Sequence, residues 1–358
     1  MRAFSDHVRA MIALEGPIPV ERYMSLCLSH YYATRDPLGA DGDFTTAPEI
    51  SQMFGELIGL WMLEVWNAMG RPAPVHLVEL GPGRGTLMAD LLRATKLLPD
   101  FGAAVEVHLV ETSPALRQRQ QATLASSGHP VRWHSRLEDV PEGPMLLVAN
   151  EFFDALPVRQ FLATERGWCE RLVGLEGDRL IFGLRGEADE ALGKPLRIGD
   201  VLEWPVASLE VMQELSRRLA RDTGAILAID YGYWGPAFGD TLQALKKHIP
   251  VDPLGDPGDA DLTTHVDFQR LAQVASRLGL QVHGPGTQRD FLLALGVEAR
   301  AASLKKRATP AQSADIDAAL ARLTERGDKG MGDLFKVLAV THKALGTVPG
   351  LPPRPFAP

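Results

Sequence analysis

Three glycines spaced two apart, in Val78-Glu-Leu-Gly-Pro-Gly-Arg-Gly-Thr86, constrain this chain more than any other stretch. They close a short apolar run (Val75, Leu77, Val78, Leu80) and open a helical pattern (Leu87, Met88, Leu91, Leu92). A strand that turns through such a segment into a helix builds a nucleotide-cofactor site. Gly81, Gly83 and Gly85 let the main chain take φ > 0 and approach a ligand that side chains would exclude. The spacing selects the cofactor. A dinucleotide fingerprint runs G-x-G-x-x-G and sets pyrophosphate on the helix N-terminus. Here the third glycine comes one residue early, Thr86 follows it, and an acid, Glu79, precedes the first. An acid before the turn suits a ligand with an ammonium and no phosphate, which describes S-adenosylmethionine and disfavours NAD.

Around this turn, apolar runs and helical patterns alternate, which predicts an α/β fold with a parallel sheet covered on both faces. Strands are expected at 75–80, 105–110, 131–134, 145–149, 225–230, 280–283 and 335–341. Seven strands with the last antiparallel make a Rossmann-like sheet of the methyltransferase type. A helical N-terminal extension, 1–72, precedes it, with helices over 4–14 and 20–31. The turn-rich stretch 34–43 leads into Phe44-Thr-Thr-Ala-Pro-Glu49, a segment able to fold over the cofactor as a lid. There Thr46 and Glu49 read as a capping box with Pro48 in the first turn, starting a helix that runs to about Met69. The methyltransferase domain is expected over 73–345. A β-rich insertion at about 158–205 has Glu176-Gly-Asp178 as a turn, and a helix over 208–221 follows it. A long irregular loop is expected at 232–261, and the proline-rich tail, 346–358, reads as an extended arm.

The 358 residues carry a net charge of −8, which argues against unspecific nucleic-acid binding. The basic runs Lys246-Lys247-His248 and Lys305-Lys306-Arg307 read as solvated helix ends. Cys27 and Cys169 have no metal or redox spacing and read as small buried hydrophobes. Ten histidines include no H-x-x-x-H pair, so no metal is expected, and His129 and His134 read as structural. No apolar run reaches transmembrane length, so no membrane insertion is expected. The N-terminus lacks a signal-peptide core, and Asp6 and Glu15 oppose a transit peptide, which favours a cytoplasmic protein.

Residues at the predicted strand ends carry the chemistry. Glu111 ends the second strand, where a carboxylate has two oxygens for the two hydroxyls of a ribose. Glu79 would orient the cofactor's ammonium. After the third strand, Leu137 with Glu138 or Asp139 offers an apolar contact and an acceptor for an adenine, although a loop of solvated acids reads equally well. The fourth strand ends in Asn150-Glu-Phe-Phe-Asp154, crowding polar groups where ligands of open α/β sheets bind, with one of Phe152 and Phe153 in the core. Transfer from a sulfonium needs alignment and exclusion of water more than covalent help. A guanidinium acceptor stays protonated and needs carboxylates to hold it, a task that Glu151 and Asp154 fit as catalytic residues. Lysine, hydroxyl and carboxylate acceptors stay open on this chemistry alone. Thr46, Glu49, Asp230, Tyr231 and His265 are substrate-side candidates. Thr264 and Asp267 read as a helix cap that leaves His265 out.

Taken together, Gly42-Asp-Phe-Thr-Thr-Ala-Pro-Glu-Ile-Ser-Gln52, the glycine turn 78–86, Asn150-Glu-Phe-Phe-Asp-Ala-Leu-Pro157, Asp230-Tyr-Gly-Tyr233 and Leu262-Thr-Thr-His-Val-Asp-Phe268 resemble the MidA-type S-adenosylmethionine-dependent methyltransferases. That family includes the mitochondrial complex I assembly factor that methylates an arginine. The resemblance implies a class I methyltransferase fold, with cofactor contacts at Glu79, Gly81, Gly83, Gly85 and Glu111; Leu137, Asp139 and Asn150 complete the expected cofactor set. It implies a protein substrate, an arginine in a subunit of the respiratory NADH dehydrogenase. Two other readings stand beside it: a catalytically silent assembly factor that binds the cofactor, and an N-methyltransferase of nucleic acid or of a small molecule. The sequence leaves the oligomeric state open.

Overall fold

The computed structural model describes residues 2–34, 46–195, 197–327 and 330–356. The chain divides into two compact units. One comprises Met1–Phe44, Asp154–Glu210 and Trp234–Asp267, the other Thr45–Phe153, Val211–Tyr233 and Phe268–Pro358. This differs from the expected division. The first helices go with the insertion and the 232–261 stretch, whereas described residues 46–72 join the sheet unit. The expected turn-rich stretch 34–43 and the first two residues of the lid lie almost wholly outside the described residues.

In the sheet unit the predicted strands form β1 (Val75–Leu80), β2 (Val105–Val110), β3 (Val131–His134), β4 (Met145–Asn150), β5 (Gly224–Tyr233), β6 (Gln281–Thr287) and β7 (Phe335–Thr341). Their order is β6-β7-β5-β4-β1-β2-β3, with β7 antiparallel to both neighbours and the other pairs parallel. Among the described residues the sheet counts eight strands against the expected seven. β1 and β4 are buried along their full length, as their near-continuous apolar sequences require. Strand order reverses between them, so their carboxyl ends, at Leu80 and Asn150, flank the crevice where such sheets bind ligands.

Before β1 the chain forms α1 (Ala47–Ile50) and α2 (Gln52–Ala68), not one helix from Thr46 to Met69. Ser51 is extended (φ −162°, ψ 137°), and its hydroxyl accepts the Met53 N–H at 3.2 Å. Ser51 is thus a working N-cap that interrupts the helix. Thr46 caps α1 by position but makes no side-chain cap bond, and the expected capping box is not formed. Apolar residues surround almost all of α2, which is therefore buried against α3 (Thr86–Thr95) and the core of Trp61, Trp66, Phe54 and Phe101. Gly55 and Gly59 let the two helices close together: a Cβ at Gly59 would lie 2.8 Å from both Ala94 Cβ and the Leu91 carbonyl oxygen. The tail is docked, not loose. Trp61 Nε1 donates to the Pro349 carbonyl at 3.1 Å, and Arg354 N donates to Val282 on β6 at 2.8 Å.

The other unit packs helices Arg2–Glu15 and Val20–Thr34 with an antiparallel sheet. Its strands are Ile18–Pro19, Gly167–Glu176, Arg159–Thr164 and Val201–Trp204, with Arg179–Ala188 paired to Gly167–Glu176 through the expected turn. Val8, Tyr23, Met24, Cys27, Val173 and Leu180 form the core, and both cysteines are buried and free. The 232–261 stretch is more regular than expected: Ile249–Val251, Gln243–Lys246 and Asp261–Thr263 make a three-stranded antiparallel sheet. Lys247 (φ 51°) and His248 (φ 63°) form its two-residue hairpin turn, so this basic run is not a helix end. Among the described residues no helix is long and apolar enough to cross a membrane.

The α2–α3 contact gives a first prediction. Gly59→Ala must push its new methyl into Leu91 and Ala94 and should lower stability by about 1–3 kcal/mol, read from urea unfolding. An unchanged midpoint would show that the helices separate freely.

Candidate cofactor site

The glycine turn leaves β1, buries its one acid and enters α3. All three glycines have positive φ: 59° at Gly81, 52° at Gly83 and 81° at Gly85. Gly81 N donates to the Val110 carbonyl at 3.1 Å, tying the turn to the end of β2. Two of the glycines also make room for protein. A Cβ on Gly81 would sit 3.1 Å from the Phe152 ring, and one on Gly85, the N-cap of α3, would meet Gln120. At these two positions the bare main chain serves the packing of the turn as well as the approach of a ligand.

Glu79 is 3% exposed, and its Oε2 has no hydrogen-bond partner. Burial, with the Glu111 carboxylate nearby as a second cause, pushes its pKa up to about 8. A buried acid in this state calls for a cation. Glu111 directly follows β2, with Oε1 accepting the Ser113 N–H at 2.8 Å and Oε2 accepting Gln120 Nε2 at 3.1 Å. Burial raises its pKa too, while these hydrogen bonds oppose the shift. Each carboxylate oxygen keeps a second lone pair for a hydroxyl.

Gln120 is the residue that sequence reasoning missed. Its helix, α4 (Pro114–Leu124), buries Leu116, Gln120 and Leu124 at four-residue spacing. An amide in the middle of a buried apolar stripe is the signal that was there to be read. Fully buried, it donates to the Gly83 carbonyl at 2.8 Å and to Glu111, and accepts Trp133 Nε1 at 2.9 Å. One side chain thus fixes the glycine turn against Glu111 and the end of β3.

Across the crevice, Asn150 is buried with its Oδ1 unpartnered, and its Nδ2 donates to Glu151 Oε1 at 3.1 Å. Glu151 holds a left-handed conformation (φ 50°), uncommon for a residue with a side chain. Its N–H donates to the Ile229 carbonyl at 2.8 Å, and its Oε1 also accepts the Ala47 N–H at 3.3 Å. Phe153 is core and Phe152 packs edge-on against it, as expected of the pair. Glu49 accepts the Thr86 hydroxyl at 2.5 Å and lies 3.8 Å from Arg84, so it meets the glycine turn. Thr46 is buried.

Several expected roles change. Asp230 is fully buried, its oxygens accepting the Phe153 and Tyr231 N–H groups, each at 3.0 Å. It anchors the main chain of Phe153, just past β4, and of Tyr231, within β5, and is closed to solvent. Tyr231 packs edge-on against Phe335 in the core. Leu137 is buried in a short helical turn, whereas Asp139 is exposed, as is Glu138, which pairs with Arg136. Asp154 and His265 belong to the other unit, whereas Glu151 belongs to the sheet unit. Within their own unit the Asp154 carbonyl accepts the Thr264 N–H at 3.0 Å, and His265 N donates to Thr241 Oγ1 at 2.9 Å. The next helix begins at Phe268, so Thr264 does not cap it.

An S-adenosyl nucleoside fits these residues. The orphaned Glu79 and Asn150 oxygens, the carboxylate of Glu111 and the positive-φ turn offer an acceptor for an ammonium, acceptors for two hydroxyls and a close main-chain approach. Residues 57–286 match the family described as "Putative S-adenosyl-L-methionine-dependent methyltransferase". A protein arginine methyltransferase NDUFAF7 homolog, mitochondrial, of Drosophila melanogaster is 38% identical, covering 94% of this chain and 84% of its own. The Homo sapiens protein arginine methyltransferase NDUFAF7, mitochondrial, is 38% identical over 82% of this chain and 73% of its own. A crystal structure from Burkholderia thailandensis bound to S-adenosyl-homocysteine superposes with a TM-score of 0.84 at 30% identity, covering 98% of this chain and 94% of that one. The chain belongs to this methyltransferase family, and it is an enzyme that uses S-adenosylmethionine.

Two predictions follow from the site. Between pH 4.5 and about 8 the folded chain keeps on Glu79 a proton that the unfolded chain has released, so stability falls as pH rises through that window. Glu79→Gln should therefore unfold at a higher temperature than the wild type at pH 8, with the gap closing towards pH 5. The same variant should bind S-adenosylhomocysteine at least about tenfold more weakly, a loss of 1.4 kcal/mol or more; equal melting at both pH values would remove Glu79 from this role. Gln120→Leu should raise the S-adenosylhomocysteine Kd about 10- to 100-fold, because it unties Gly83 and Glu111 and strands the Trp133 N–H. Calorimetric titration measures both.

Proposed function

We propose that the protein N-methylates arginine side chains of a partner protein, with Glu151 holding the guanidinium. The observation that carries this reading is the constrained carboxylate at the crevice edge. Glu151 is kept in a left-handed conformation and oriented by Asn150 and the Ala47 N–H, on the carboxyl end of β4 across from the glycine turn. When bound, S-adenosylmethionine supplies a methyl group already activated on a sulfonium. The chain's own task is then to bind the acceptor in line, exclude water and steady positive charge. A guanidinium enters protonated, and a carboxylate with fixed geometry grips it through charge-assisted hydrogen bonds. The printed names of the animal relatives support arginine as the acceptor. We propose Asp154 and His265 as acceptor-side residues within their own unit. The resemblance to MidA-type proteins supports a subunit of the respiratory NADH dehydrogenase as that protein.

The test is methyl transfer. Purified protein given radiolabelled S-adenosylmethionine and extract of a knockout strain should label protein, and hydrolysis should recover methylarginine. Label in another amino acid, or in RNA, would overturn the acceptor assignment; no label anywhere would leave a cofactor-binding assembly factor. Glu151→Gln should lower turnover about 100-fold or more while S-adenosylhomocysteine affinity stays within about threefold. Parallel loss of both would move Glu151 into the cofactor site.

A further inference from the structure

Away from the cofactor site, residues of three adjacent strands bring a set of metal-binding atoms together. His76 stands on β1 opposite Glu106 on β2, and His108 follows Glu106 by two residues, so both β2 side chains share one face of the sheet. His76 Nδ1 and His108 Nε2 are 3.1 Å apart, and Glu106 Oε2 lies 3.8 Å from the first and 3.9 Å from the second. A point equidistant from the three atoms lies about 2.1 Å from each, which is the length of a zinc–imidazole bond.

The surroundings suit a ligand set. His76 Nε2 lies 3.1 Å from the Glu142 carbonyl, so it carries the proton and leaves the Nδ1 lone pair facing His108. His108 Nδ1 lies 2.9 Å from His134 Nε2, a partner that can take its N–H and free Nε2 for a metal. These are the outer hydrogen bonds that orient metal-binding imidazoles. The rings are also fixed in place. His108 is fully buried, and a Cβ on Gly143 would lie 3.0 Å from His76 Nε2, so the seat of that ring depends on bare main chain. Glu106 is partly exposed and gives access from solvent. One contact opposes the site: Arg132 Nη1 reaches Glu106 Oε2 at 2.8 Å. That guanidinium is more than half exposed and can turn away into water.

We propose that His76, His108 and Glu106 form a binding site for one divalent transition-metal ion of the zinc class, with water completing the coordination, and that the ion clips β1 to β2. Two imidazoles and a carboxylate are a borderline donor set that suits Zn2+ and leaves a fourth position open. The expectation of no metal rested on local spacing. His76 and His108 lie 32 positions apart, and only the sheet joins them.

Tag-free, chelator-treated protein titrated with ZnCl2 against a chromophoric chelator should take up one Zn2+ per chain with a micromolar or tighter Kd, and its melting temperature should rise with Zn2+. Glu106→Gln, at a partly exposed position, and His76→Gln should each weaken that Kd about tenfold or more with unchanged far-ultraviolet circular dichroism. Arg132→Ala should tighten it, and His129→Gln should leave it unaltered. Uptake weaker than millimolar, or tight uptake that survives both Glu106→Gln and His76→Gln, overturns the proposal.

Discussion

A carboxylate buried on β1, with a second carboxylate close by, governs the rest of this molecule. Glu79 cannot ionise there without help, because burial and the neighbouring Glu111 both favour its neutral form, with a differential of several kcal/mol. Folding alone would select against such a residue. Its presence makes sense where a cation is brought to it, and the positive-φ turn beside it is shaped to receive one without obstruction by side chains. A cation bound beside Glu79 would return the stability that burying this carboxyl costs.

That arrangement works only if the turn and the two acids keep their spacing. Gln120 does this from the middle of a packed helix, reaching the Gly83 carbonyl and Glu111 at once while Trp133 secures its oxygen. α2 packs closely on α3 through Gly55 and Gly59, and Glu49 meets the Thr86 hydroxyl. The site is therefore a product of close helix packing as much as of the motif that announces it.

The strands were legible because buried parallel strands are written as unbroken apolar runs, and the two edges of the candidate site because glycines and acids interrupt those runs at strand ends. What could not be read depends on distant partners or on conformations that sequence disguises. A Lys247-His248 pair makes a hairpin turn usually marked by Asn-Gly, so the sheet within 232–261 looked irregular. Thr46 and Glu49 have the spacing of a capping box, but Glu49 finds Thr86 and Arg84, and the helix is capped at Ser51. Asp230 looked like a ligand for substrate because it ends a strand; main-chain N–H groups claim it first.

The contrast between Asp230 and Glu151 shows how the two edge acids divide their labour. Asp230 is fully buried and accepts two main-chain N–H groups, which fix the chain just past β4 against the interior of β5. Glu151 lies on the path so fixed, and is left partly exposed in a left-handed conformation that costs about 1–3 kcal/mol when the residue is not glycine. A relaxed backbone would point its carboxylate elsewhere. The strain persists because the Ile229 carbonyl holds its N–H and Asn150 holds its side chain. Under the proposed function, that support sets the angle at which the carboxylate would meet a cationic acceptor.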